Sequence, residues 1–127
     1  MNTKAIALLL LFAGAAPLAA QELTPMLPAE REEAANAEVG LSIFAECQIR
    51  PAAAEAEIQF AEQWVNSHSI DGQPAAVDLQ NRKAKIKQVY SDPAKRPLLC
   101  GLVGSPQYIE GFAKAVKRLK GKHRKHG

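Results

Sequence analysis

Neither of the two cysteines in this 127-residue chain, Cys47 and Cys100, has another cysteine or a histidine at metal-ligand spacing, which excludes a zinc ribbon or finger. No C-x-x-C-H occurs, which excludes covalent c-type haem. Aromatic residues make up 6% of the chain and nowhere alternate with polar ones over a useful length, so no strand-built domain is signalled. The phosphate loop, the EF-hand, H-E-x-x-H and the G-x-S-x-G elbow are missing, as are an N-x-S/T sequon and any internal repeat. Carboxylates offer no substitute. Glu55 and Glu57, two apart on a helix, point to different sides. Glu30 and Glu33 can share a helix face but are expected at a solvent-facing terminus, where they serve solubility and the helix dipole. The chain reads as a non-enzyme with no cofactor and no metal.

Only one long apolar run is present, at the start. "MNTKAIALLLLFAGAAPLAAQE" places Lys4 before an apolar stretch from Ala5 to Ala16, with small residues at Ala19 and Ala20. This is the layout of a secretory signal peptide, and cleavage is expected after Ala20. Broken by Gly14 and Pro17, the run is shorter than the roughly 20 residues a membrane-spanning helix needs, and no later segment comes closer. No cysteine follows Ala20 until Cys47, so the lipid-bearing cysteine of a mature lipoprotein is absent. The expected product is a soluble exported protein, periplasmic or extracellular.

Export decides how Cys47 and Cys100 read. An oxidising compartment and an even count favour pairing, and the bridge would close a loop worth about 4 kcal/mol on the chain-entropy model. A nucleophilic cysteine needs a nearby base and a setting that favours the thiolate. Cys100 instead sits in "RPLLCGLVGS", among Leu98, Leu99, Leu102 and Val103.

After the leader, residues 21–28 carry two prolines and no helical period, and read as an extended arm. Residues 29–121 read as an all-α domain, a small bundle of about four short helices tied by Cys47–Cys100. The first helix, over 29–49, groups Val39, Ile43, Phe44 and Cys47 on one face, with Gly40 allowing a close neighbour. Pro51 ends it and opens the second, over 52–68, whose stripe is Ala54, Ile58, Ala61, Trp64, Val65 and His68. Trp64 is assigned to the core and His68 to a satisfied, partly buried role. "SIDGQP" is a turn punctuated by Asp71-Gly72. The third helix, over 74–90, buries Ala75, Leu79, Ile86, Val89 and Tyr90. Gly101 and Gly104 limit the segment around Cys100 to a short turn. Ser105 caps the last helix and Pro106 takes its first position. There Ile109, Phe112, Ala113, Val116 and Leu119 form the apolar face, and Gly121 is the expected stop.

Charge is divided along the chain. Residues 21–71 hold ten acids against Arg31 and Arg50, a net of −8, whereas residues 72–127 hold thirteen lysines and arginines against three acids, a net of +10. One account is structural: the halves face each other in weak surface pairs and complement the helix dipoles. The other is an anion-binding surface made of Lys114, Lys117, Arg118 and Lys120 with Lys122, Arg124 and Lys125 of a basic tail over 122–127. Its partners would be anionic lipid headgroups, lipopolysaccharide, cell-wall polymers or acidic proteins. Nucleic acid is not expected, because no aromatic interrupts the tail to stack on bases. His123 and His126 lie three apart, but the surrounding cations repel a metal ion, so they read as solvated.

Signal peptide, helices and one long-range disulfide together resemble, in architecture, the small acid-activated periplasmic chaperones. The T-C-x-x-F type of opening around their first cysteine is replaced here by "AECQIR", and no residue role is carried over. The resulting expectation is a binding or stress-protection module of the cell envelope, with electrostatic anchoring through the basic tail as its alternative.

Overall fold

The computed structural model describes residues 22–126, and their side chains through 122. The leader over 1–20 and its cleavage site lie outside the described residues, as do the side chains of His123, Arg124, Lys125 and His126. Five α-helices are present among the described residues: α1 (Arg31–Cys47), α2 (Glu55–Ser67), α3 (Ala75–Val89), α4 (Arg96–Val103) and α5 (Pro106–His126). None of them is long and apolar enough to cross a membrane. The fold is a small helical bundle tied by one disulfide, Cys47–Cys100, with its Cα atoms 5.6 Å apart.

Helix α1 is central, packed by α2, α3 and α5. A 3-10 turn at Pro28–Glu30 leads into it, and the Glu30 carboxylate reaches back to accept the Leu27 N–H at 2.8 Å, satisfying a donor no helix turn can reach. At its other end Gln48 adopts φ 54°, and the Ile49 N–H reaches the Phe44 carbonyl at 2.9 Å. This left-handed closure is one that glycine makes most easily. Pro51 then precedes a second 3-10 turn, Ala52–Ala54, which feeds α2.

A small sheet was not signalled by the sequence. Strand β2 (His68–Ile70) pairs in parallel with β1 (Thr24–Pro25) and antiparallel with β3 (Gln73–Pro74). Asp71 at φ 50° and Gly72 at φ 82° make the two-residue turn between β2 and β3, the geometry that Asp-Gly favours in hairpins. Strands this short leave no room for alternation, which is why the pattern was silent. The chain enters β2 at His68, so α2 stops one residue earlier than expected.

Three further expectations are corrected. The segment around Cys100 is a two-turn helix, α4, rather than a short turn. Pro97 in its first turn, the disulfide, and the Arg96 guanidinium bound to the Glu46 carboxylate and carbonyl, both at 2.6 Å, outweigh the roughly 1 kcal/mol that Gly101 costs. Helix α5 passes through Gly121 to His126. A glycine stops a helix when it turns left-handed, and among the described glycines only Gly72 has positive φ. Val89 is 60% exposed, because α3 turns Ala75, Leu79, Ile86 and Tyr90 inward and places Val89 off that stripe.

The core is centred on Phe44, whose ring meets Phe112 edge-on at 5.1 Å and Tyr108 at 5.8 Å. Gly40 makes this possible: a β-carbon there would lie 2.3 Å from Phe112 Cδ1. Val116 and Leu119 of α5 are fully buried. Trp64 is buried, and the His68 ring stacks on it at 4.1 Å.

Candidate functional site

The cysteines are occupied by structure. Cys47 ends α1 and Cys100 lies in α4, so the bridge holds the segment before the last helix against the end of the first. His68 is likewise structural: it is buried, and Nδ1 lies 2.8 Å from the Trp64 carbonyl and 3.0 Å from Ser67 Oγ. Ser105 accepts the Tyr108 N–H at 3.3 Å as a helix cap. No group of three or more histidines, cysteines or acids that could hold a metal ion occurs among the described residues.

The basic residues of α5 fall into separate settings. Arg118 Nε donates to Glu33 at 2.8 Å, Lys122 stands 3.7 Å from the same carboxylate, Lys114 meets Glu110 at 3.5 Å, and Lys120 lies over the Phe60 ring at 5.0 Å. Lys117 is exposed and has no ion pair among the described residues. The two halves of the charge division thus meet directly at Glu33. Glu30 and Glu33 are buried, not solvent-facing as expected. The entry of α1 is covered by Trp64, whose Nε1 lies 3.4 Å from Glu30, and by Arg118. Burial raises the Glu33 carboxyl, but hydrogen bonds from Arg118 and Asn36, with the charges of Arg118 and Lys122, outweigh it and hold the group below its ordinary range.

A second buried carboxyl faces α3. Glu38 is 1% exposed, and its Oε1 accepts from Arg82 Nε at 3.2 Å. The same N–H is shared with Asp78 at 3.2 Å, so one donor serves two carboxyls. Burial, followed by the adjacent Asp78, pushes the Glu38 carboxyl up to about 8, while Asp78 is lowered, first by its hydrogen bond to Glu38. Near neutral pH a proton stays on Glu38 and Asp78 is the charged partner of Arg82. The signal for this pair was a glutamate falling within the stripe Ala34, Ala37, Leu41 of α1.

An opening in the surface lies between α1, α2 and α3. It encloses about 560 Å³, a size typical of small-molecule sites, over a floor of Leu41, Phe44, Ile58, Val65 and Leu79. These floor residues belong to the core itself. The rim carries Gln48, Asn66 and Gln80, with Arg50, Glu62 and Lys83. Arg50 is fully engaged, donating to Glu55 at 2.8 Å and to Glu62 at 3.1 Å. A smaller cavity of about 290 Å³ adjoins it, sharing Ala45, Gln80 and Lys83 and adding Glu46 and Lys87. Periodicity identified Phe44, Ile58, Val65 and Leu79 as core, but not Leu41, and could not show that three helices leave a gap above them. Compared with family models, curated proteins and solved structures, the chain matches none of them.

Proposed function

We propose that the chain acts after export, in the periplasm or outside the cell, as a non-enzymatic binding or stress-protection module of the cell envelope, and that the opening between α1, α2 and α3 is its binding surface. The observation that carries this reading is the opening itself: a ligand-sized cavity whose base is formed by buried core side chains, Phe44 and Leu79 among them, beneath a polar rim. The Cys47–Cys100 bridge supports an oxidising compartment.

Two measurements test the proposal. Mass spectrometry of protein recovered from the envelope should find residues 1–20 removed and both sulfurs oxidised; free thiols or a retained leader would refute export. Asn66→Trp, at an exposed rim position, should cover the cavity without entering the core. A partner recovered from envelope extract by the native chain, but not by a surface-scrambled control, should be lost on this substitution. Retention by Asn66→Trp would move the binding surface elsewhere.

A further inference from the structure

We infer that the two adjoining cavities accept a single-chain amphiphile with an anionic head, its alkyl body over the floor of the larger cavity and its head beside Lys83 and Lys87 in the smaller one. The inference deepens the proposed binding function and rests on it.

The charge layout assigns the two ends. In the larger cavity the cation Arg50 is bound by Glu62 and by Glu55 outside the lining, which leaves that cluster with a surplus negative charge, whereas Lys83 is the lining cation without an ion pair among the described residues. An anionic head is drawn to the Lys83 side. In the smaller cavity the one acid, Glu46, is already taken by Arg96 at 2.6 Å. Lys83 and Lys87, one helical turn apart on α3, have no ion pair among the described residues. Two uncompensated ammonium groups therefore stand beside an apolar trough whose other border is acidic. Lysine ammonium groups are compact point charges without the planar fork of arginine, and they suit a small head of variable orientation. Between the cavities, Ala45 is exposed and small, so the wall there is low enough for one ligand to cross it. Lys83 borders both cavities and places its charge at the crossing.

The test uses the oxidised mature protein and three probes of equal chain length, dodecanoate and dodecyltrimethylammonium below their micelle concentrations and dodecanol below its solubility limit. Amide shifts in a two-dimensional nitrogen–proton spectrum locate binding, and titration gives affinities. Dodecanoate is expected to shift the amides of Ala45, Gln80 and Lys83 saturably and to bind roughly tenfold more tightly than dodecyltrimethylammonium. The double substitution Lys83→Gln with Lys87→Gln, at surface positions, should abolish that preference and leave dodecanol binding unchanged. Equal affinity for anion and cation in the native chain would overturn the head assignment while leaving the cavity a binding site. If none of the three probes shifted those amides, or shifts were confined to the exposed Leu98 and Leu102 of α4, the cavity reading itself would fall.

Discussion

Raising the pH from about 5 to about 9 should loosen this bundle at one place, the contact of Glu38 with α3. Glu38 holds its proton in the fold up to about pH 8, whereas in the unfolded chain it ionises near 4.5. The folded state therefore binds the extra proton throughout that interval, and stability that is fully present below 4.5 is lost as the pH rises through about 8. At about 1.4 kcal/mol for each pH unit, the interval sets a ceiling near 5 kcal/mol. Asp78 and Arg82 are each more than a third exposed, so water can reach the ionised pair and reduce the loss to about 2–3 kcal/mol. In a domain of this size that is a fall of about 10–20 °C in melting temperature. Glu38→Gln supplies an amide in place of the protonated acid, able to donate toward Asp78 and accept from Arg82 at every pH. Thermal melts of the oxidised protein followed by circular dichroism across this range should show the native chain declining and the variant nearly flat, so that the variant is the more stable at pH 9. Lys85 adds only to the field on Asp78, and other titrating groups are common to both proteins. A native chain as flat as the variant, or a variant that declines as steeply, would refute the proton on Glu38.

Replacing both Cys47 and Cys100 by alanine should cost about 4 kcal/mol in urea unfolding, the chain-entropy value for a bridge spanning 53 residues. Gly40→Ala gains about 1 kcal/mol of helix propensity, but its β-carbon would stand 2.3 Å from a Phe112 ring already held edge-on against Phe44; a net loss of about 1–2 kcal/mol is expected in the same assay. Gln48→Gly should raise the unfolding free energy by about 1 kcal/mol, because Gln48 pays the left-handed penalty that glycine avoids. Because Arg118 and Lys122 are paired with Glu33, a chain cut after Gly121 should be retained on anionic vesicles at physiological salt as well as the full chain; loss of retention would instead favour anchoring by the end of α5.

Much of the bundle was legible because its signals are local. Pro28, Pro51 and Pro106 stand just ahead of the helices they introduce or at the first position within them, and the apolar stripe of α5 reads directly from Phe112, Val116 and Leu119. Gly40 could be recognised as a point of close approach, although its partner, Phe112, comes from the other end of the chain. What stayed hidden depends on tertiary partners. Whether Gly101 and Gly104 break a helix is decided by Glu46 and Cys47, about fifty residues away, which hold α4 in place. Whether Glu33 faces water is decided by Arg118. The candidate site is the extreme case, since each residue on its floor is an ordinary buried core residue and the cavity above them arises only from the spacing of three helices.

That spacing is fixed where α1 ends, and there the restraints gather. Within five residues, Glu46 is held by Arg96, Cys47 by Cys100, Gln48 closes the helix left-handed, and Arg50 is bound by Glu55 and Glu62 of α2. Singly, the exposed pairs among them contribute little. Together with the covalent bridge they fix the end of α1 against both α2 and α4, and Gln48, Ile49 and Arg50 are part of the cavity wall. A wall restrained in this way loses little conformational entropy when a ligand enters, so even a small apolar floor can give useful affinity. In the proposed binding role the disulfide acts through geometry: the sulfurs do not line the opening, but they hold one side of it in place.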